Sequence, residues 1–202
     1  MKVWKLQLVL LILFIVFFVG SIILCGISNT CRGHIPTINN MLNSVFTIPY
    51  IMCALNTMIG IHFITVIAIY YKTQISSYYW SRLQIFMAMV VYLCTGITLF
   101  VYPFTGWDAN WANVSILATY VLWELICMMA LWRCERSHHV GLMLSFTVFY
   151  ILNLIVYIVL RAIPNNFDVG ILVAELLMGL SVLGFLALCV LQVFSMKISF
   201  LE

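Results

Sequence analysis

The sequence predicts an all-α fold: a polytopic membrane protein folded as one bundle of six transmembrane helices. Three observations carry this. Of 202 residues, 65% are hydrophobic and only 7% are charged, against roughly 25% charged in an average soluble domain. The apolar residues fall into six long runs, and crossing a bilayer as a helix takes about 20 of them. The segments between the runs are too short to fold as domains of their own. Residues 1–202 therefore form a single domain, and its function must reside in the bundle and its loops.

The expected spans are about 6–25, 45–70, 83–101, 114–132, 140–160 and 169–193. Helices are expected because hydrocarbon offers no partner for an unpaired backbone group. Lys2 and Lys5 precede the first run as in a signal peptide. The run is longer than a cleavable h-region, however, and Leu24-Cys25-Gly26 is a poor cleavage site, so span one reads as a retained anchor. Pro49 suits the first turn of span two, where a missing N–H costs little. Pro103 and Gly106 end span three, and Pro164, Asn165 and Asn166 turn the chain between spans five and six. Gly170 and Ala174 are spaced to let another helix approach closely.

Basic residues fix the expected orientation. With the N-terminus cytoplasmic, that side carries Lys2, Lys5, Lys72, Arg82, Arg133, Arg136 and Lys197, and the other only Arg32 and Arg161. The positive-inside rule then places both termini in the cytoplasm. Loops 26–44, 102–113 and 161–168 face the lumen or exterior. Asn113-Val114-Ser115 forms a glycosylation acceptor sequence on that side.

A net charge of +3 without a basic stripe points to no nucleic-acid partner. Cys53, Cys94, Cys127 and Cys189 lie within spans and read as small hydrophobes. Cys25 and Cys31 are the one plausible disulfide pair. Glu135, His138 and His139 match no zinc spacing, so neither metal nor cofactor is expected. No GxSxG, HExxH or P-loop is present, and whether the chain is an enzyme stays open.

Ionisable residues inside the spans are the informative ones, because a charge at the bilayer centre costs about 2.5–3.5 kcal/mol on insertion scales. His62 lies deep in span two and Glu124 near the middle of span four. Paired across helices they would suit proton movement, or simply satisfy each other in a structural role. Glu175 lies within two turns of the start of span six. Asp168 sits seven residues earlier on nearly the same helix face, and Arg161 ends span five on the same side. These three make either a pocket for a phosphate or glycan head group or, for Glu175, a bond that fixes helix register.

Several short motifs share the order of a known family. Cys31, Ile35-Pro36-Thr37-Ile38-Asn39 and Ile59-Gly60-Ile61-His62 lie in the first loop and span two. Leu131-Trp132-Arg133 ends span four, Val156-Tyr157 through Asn165-Asn166 ends span five, and Ala174-Glu175 lies in span six. In these motifs the chain resembles the six-span post-GPI-attachment-to-proteins factor 2 family, within the wider FRAG/DRAM/Sfk group. The family's luminal His between helices three and four is absent, and Leu176 replaces the Tyr that follows its helix-six Glu.

The resemblance implies a secretory-pathway protein of the Golgi or endoplasmic reticulum that takes part in the lipid remodelling of GPI anchors. Its partners would be membrane lipid and GPI-anchored proteins. His62, Glu124, Glu175, Asp168 and Arg161 are the expected head-group contacts, with no catalytic residue assigned. The alternative is a non-catalytic organiser of membrane lipid, autophagy or phosphoinositide machinery, as in the DRAM and Sfk relatives. A transporter is a third class, to which an intramembrane His–Glu pair also points; no inverted repeat accompanies it.

Overall fold

A computed structural model describes residues 3–27, 37, 60, 61, 65, 86, 90, 109–132, 139–163 and 167–196. Four helices run through them: α1 (Val3–Ile27), α2 (Ala109–Trp132), α3 (Val140–Ala162) and α4 (Asp168–Met196). Three are long and apolar enough to cross a membrane, over Trp4–Leu24, Val140–Ala162 and Asp168–Phe194. Within α2 the apolar stretch is the shorter Leu117–Met128. These are the helices of an integral membrane protein.

Each helix covers one expected span and overruns it, because helical hydrogen bonding continues where hydropathy falls. The largest overrun is α2, which starts at Ala109 rather than at 114. Asn113 consequently falls inside a helix and not in a loop. Spans two and three lie outside the described residues except for Gly60, Ile61, Thr65, Phe86 and Val90, each of which is helical. Thr65 bonds back to the Ile61 carbonyl at 2.6 Å, one turn earlier.

The end of α3 follows from local chemistry. Ile163 is extended (φ −81°, ψ 130°), the conformation imposed on a residue that precedes proline. Its N–H still bonds the Val159 carbonyl at 3.2 Å. After the short connection through 164–166, the Phe167 carbonyl accepts from Ile171 at 2.9 Å and opens α4. Asp168 then stands in the first turn, where the helix dipole favours an anion.

The helices form an antiparallel array in which α3 packs against both α2 and α4, and α1 packs against α4. Three contacts set the α3–α4 register. The Ser181 hydroxyl donates to the Phe146 carbonyl at 2.5 Å, the Phe146 ring lies over Gly184, and Leu160 lies beside Gly170. Gly170 and Ala174 therefore do face a neighbour, Ala174 being fully buried. Between α1 and α4, Phe18 fills the space at Gly179, and Trp4 meets Phe194 edge-on with ring centroids 5.1 Å apart. The start of α1 and the end of α4 thus lie together at one end of the bundle. Tyr150 and Thr147 reach from α3 to Leu117 and Met128 of α2.

The core of this array is built from Trp123, Met143, Tyr150, Tyr157, Met178 and Phe185, among others. On its outside α1 exposes Val9, Ile12, Val16, Val19 and Ile23, and α3 exposes Leu142, Leu152, Ile155 and Val159. Contiguous apolar surface of this kind is rare on a protein bathed in water and is the expected face toward lipid.

Candidate functional site

The expected site residues separate into two levels of the bundle. His62 lies outside the described residues, as do most of 31–62; of the first-loop motif only Thr37 is described, and it is buried. The loop residues Glu135 and His138 also fall outside, while His139 precedes α3 and accepts from Met143 through its carbonyl at 3.0 Å. Among the described residues no group of His, Cys, Asp and Glu has the geometry of a metal site.

The first level is the end where α3 gives way to α4. Arg161 occupies the last turn of α3 and Asp168 the first turn of α4. Glu175 is two turns further along α4 and only 5% exposed. The Arg161 guanidinium carbon lies 5.5 Å from the centre of the Tyr157 ring, one turn back on its own helix. Cation–π attraction at this distance helps hold the side chain in place. Its Nε and Nη2 are buried and have no hydrogen-bond acceptor. Those two nitrogens form one edge of the guanidinium, the fork that binds two oxygens of a phosphate or carboxylate side by side.

The second level is mid-bundle. Glu124 is fully buried at the α2–α3 interface, opposite Thr147. Thr147 and Arg161 are 14 residues apart on α3, about 21 Å along the axis at 1.5 Å per residue. Glu124 and Arg161 therefore do not share a single pocket. Around Glu124 lie groups that the sequence did not single out as site residues. Thr147 and Tyr150 come from α3, Cys127 from one turn further along α2, and Cys189 from α4; the last three lie within electrostatic range of the carboxyl. Both thiols are reduced and fully buried, in keeping with small hydrophobes.

A signal for these neighbours does exist in the sequence. Met143, Thr147, Tyr150, Leu154 and Tyr157 are all buried, and they recur every three or four residues, which places them along one helix face. That face carries a hydroxyl at three of its five positions. Such groups, set in a run otherwise apolar all round, mark the side turned toward other helices.

Comparison with protein-family models, with curated proteins and with solved structures finds no match to this chain.

Proposed function

We propose that this chain is a six-span membrane protein of the secretory pathway, resident in the Golgi or endoplasmic reticulum. In this reading it takes part in the lipid remodelling of GPI anchors and holds the phosphoinositol part of the anchor where α3 passes into α4. The carrying observation is the Arg161 edge, two buried N–H donors without an acceptor. A buried donor left unsatisfied costs about 1–3 kcal/mol. A phosphate diester would satisfy both at once through charge-assisted bonds. Asp168 and Glu175, on the adjoining helix, would meet the sugar hydroxyls or amine of the same head group.

Two further features support the reading. Arg161 and Asp168 stand where α3 gives way to α4, at an end of the bundle, the depth at which a lipid head group sits. The antiparallel packing of α1 on α4 also fits an even number of crossings, as six spans require.

The test is mass spectrometry of GPI anchors on a reporter protein. Cells lacking the gene are compared with cells rescued by the wild-type chain, by Arg161→Gln, by Glu175→Gln or by His62→Ala. Accumulation of lyso-GPI, or of anchors that keep an unsaturated chain, is expected in the null cells and in the variants at matched protein levels. Unchanged anchors in the null cells overturn the function, and normal anchors in all three variants overturn the site.

A further inference from the structure

Glu124 poses a problem that a head-group site at the bundle end leaves unsolved. Its carboxyl is fully buried, and neither oxygen makes a hydrogen bond. An isolated carboxylate in an apolar interior is far costlier than an unpaired neutral group. Among the described residues the basic ones are Lys5, His139 and Arg161, and none stands at this level. Lys5 is beside Trp4, at the end of the bundle where Trp4 meets Phe194. On α3, His139 and Arg161 are eight and fourteen residues from Thr147, about 12 and 21 Å along the axis.

The hydroxyls nearby do not make up for this, and the reason lies in where their protons go. The Thr147 hydroxyl stands opposite the carboxyl, and the acceptors in its reach are the Met143 carbonyl at 3.2 Å, one turn earlier, and the Met128 sulfur at 3.9 Å. The Tyr150 hydroxyl donates to the Leu117 carbonyl at 2.8 Å. A hydroxyl has one proton to give, and a carbonyl can only accept. The Tyr150 proton is thus committed elsewhere, and with its own proton on the Met143 carbonyl the Thr147 hydroxyl presents a lone pair to Glu124. An ionised carboxylate is acceptor-only and gains nothing from lone pairs; a carboxylic acid, with its own O–H, does.

Among the described residues, the other titratable groups from the packed helices are Tyr120 and Cys127 on α2, Tyr150 and Tyr157 on α3, and Cys189 on α4, with the acids Glu175 and Asp168 toward the start of α4. Phenols and thiols are neutral acids at physiological pH and supply no positive charge. Among the described residues, the surroundings are matched to an uncharged acid.

We propose that Glu124 is a proton-binding site within the bundle: at neutral pH its carboxyl carries a proton and donates it to the Thr147 oxygen. The ligand is the proton itself. This site is independent of the head-group reading, since the two levels are some four helical turns apart.

Infrared spectroscopy of the full-length protein in lipid nanodiscs tests it. At pH 7 the wild-type spectrum should contain the carbonyl band of a protonated carboxyl that is lost in Glu124→Gln. The same band should move to higher wavenumber in Thr147→Val, which removes the acceptor but keeps the side-chain shape. Loss of a carboxylate band in Glu124→Gln, in place of the acid band, overturns the proposal. So does disappearance of the acid band on adding sodium or potassium, which would make the site one for a metal cation.

If Glu124→Gln does not accumulate, dicyclohexylcarbodiimide applied to the detergent-solubilised wild-type protein gives the second readout. A carboxylic acid adds its O–H across the reagent's C=N bond with no atom lost, so the adduct is found by mass at its residue. An adduct at Glu124 whose yield falls as the pH is raised supports the site. Absence of an adduct there, in protein the reagent can enter, overturns it.

Discussion

The Tyr150 hydroxyl donates to the main-chain carbonyl of Leu117 at 2.8 Å, tying the middle of α3 to α2 across a wholly buried interface. In lipid such a bond contributes modestly, about 0.6 kcal/mol on average, because the dissociated helix also finds partners. The buried aromatic ring matters more. Tyr150→Phe should cost about 0.5–1.5 kcal/mol, whereas Tyr150→Ala, which leaves a cavity, should cost about 3–5 kcal/mol. Unfolding of the purified protein in mixed micelles by added denaturing detergent measures both. Equal losses would mean that the bond, and not the ring, holds the interface.

The Phe146 ring lies against α4 so closely that a Cβ on Gly184 would come within 2.5 Å of ring atom Cε1. Gly184→Ala should therefore destabilise by about 1–3 kcal/mol through overpacking. Phe146→Leu alone loses ring contact, but combined with Gly184→Ala it should recover part of the loss. A double-mutant cycle on detergent unfolding reads that coupling, expected at about 0.5–3 kcal/mol for residues in contact. Gly179→Ala should be milder, because there a single ring atom, Phe18 Cζ at 2.9 Å, stands too close and the next is at 3.5 Å, whereas at Gly184 three Phe146 atoms lie within 2.9 Å. Strict additivity of Gly184→Ala and Phe146→Leu would place the two side chains apart.

The positions of the four described helices were legible in the sequence from its apolar runs, least sharply for α2, and Pro164 announced where α3 must stop. Which face of each helix turns inward was harder to read. On α1 little more than Gln7 and Ser21, both fully buried and fourteen residues apart on one face, marks the inward side. The register rests instead on small residues and hydroxyls. Gly170 and Ala174 stood out by their spacing, but Ser181 and Gly184, which both meet Phe146, are three apart and did not. Glu124, Arg161, Asp168 and Glu175 stood out in the sequence because each breaks an apolar background. Their separation into two levels was not, since nothing in the chain says that Thr147 of α3 is the residue opposite Glu124.

Trp4 and Phe194 are in edge-on contact at 5.1 Å, so both ends of the described bundle emerge on one side. Epitope tags fused before Met1 and after Glu202 should therefore be cleaved together, or protected together, when sealed microsomes are treated with protease. Cleavage before solubilisation would put both on the cytoplasmic side, as the distribution of basic residues predicts. One tag cleaved and the other protected would contradict the antiparallel packing of α1 on α4.

Arg161 separates stability from binding. In the ligand-free chain its buried Nε and Nη2 are a burden, since donors without acceptors cost about 1–3 kcal/mol. Arg161→Met keeps an unbranched side chain beside the Tyr157 ring, where sulfur–aromatic contact is favourable, and removes both donors. In nanodiscs of phosphatidylcholine alone the variant should unfold at the same or a higher temperature than wild type. Adding phosphatidylinositol should raise the wild-type Tm, by about 2.7 kcal/mol of stability at a hundredfold excess over Kd, and leave the variant unmoved. Arg161→Lys, which keeps the charge but loses the two-pronged edge, should respond weakly. An equal rise in all three proteins would show that anionic lipid acts on the bundle elsewhere, and would remove Arg161 from the site.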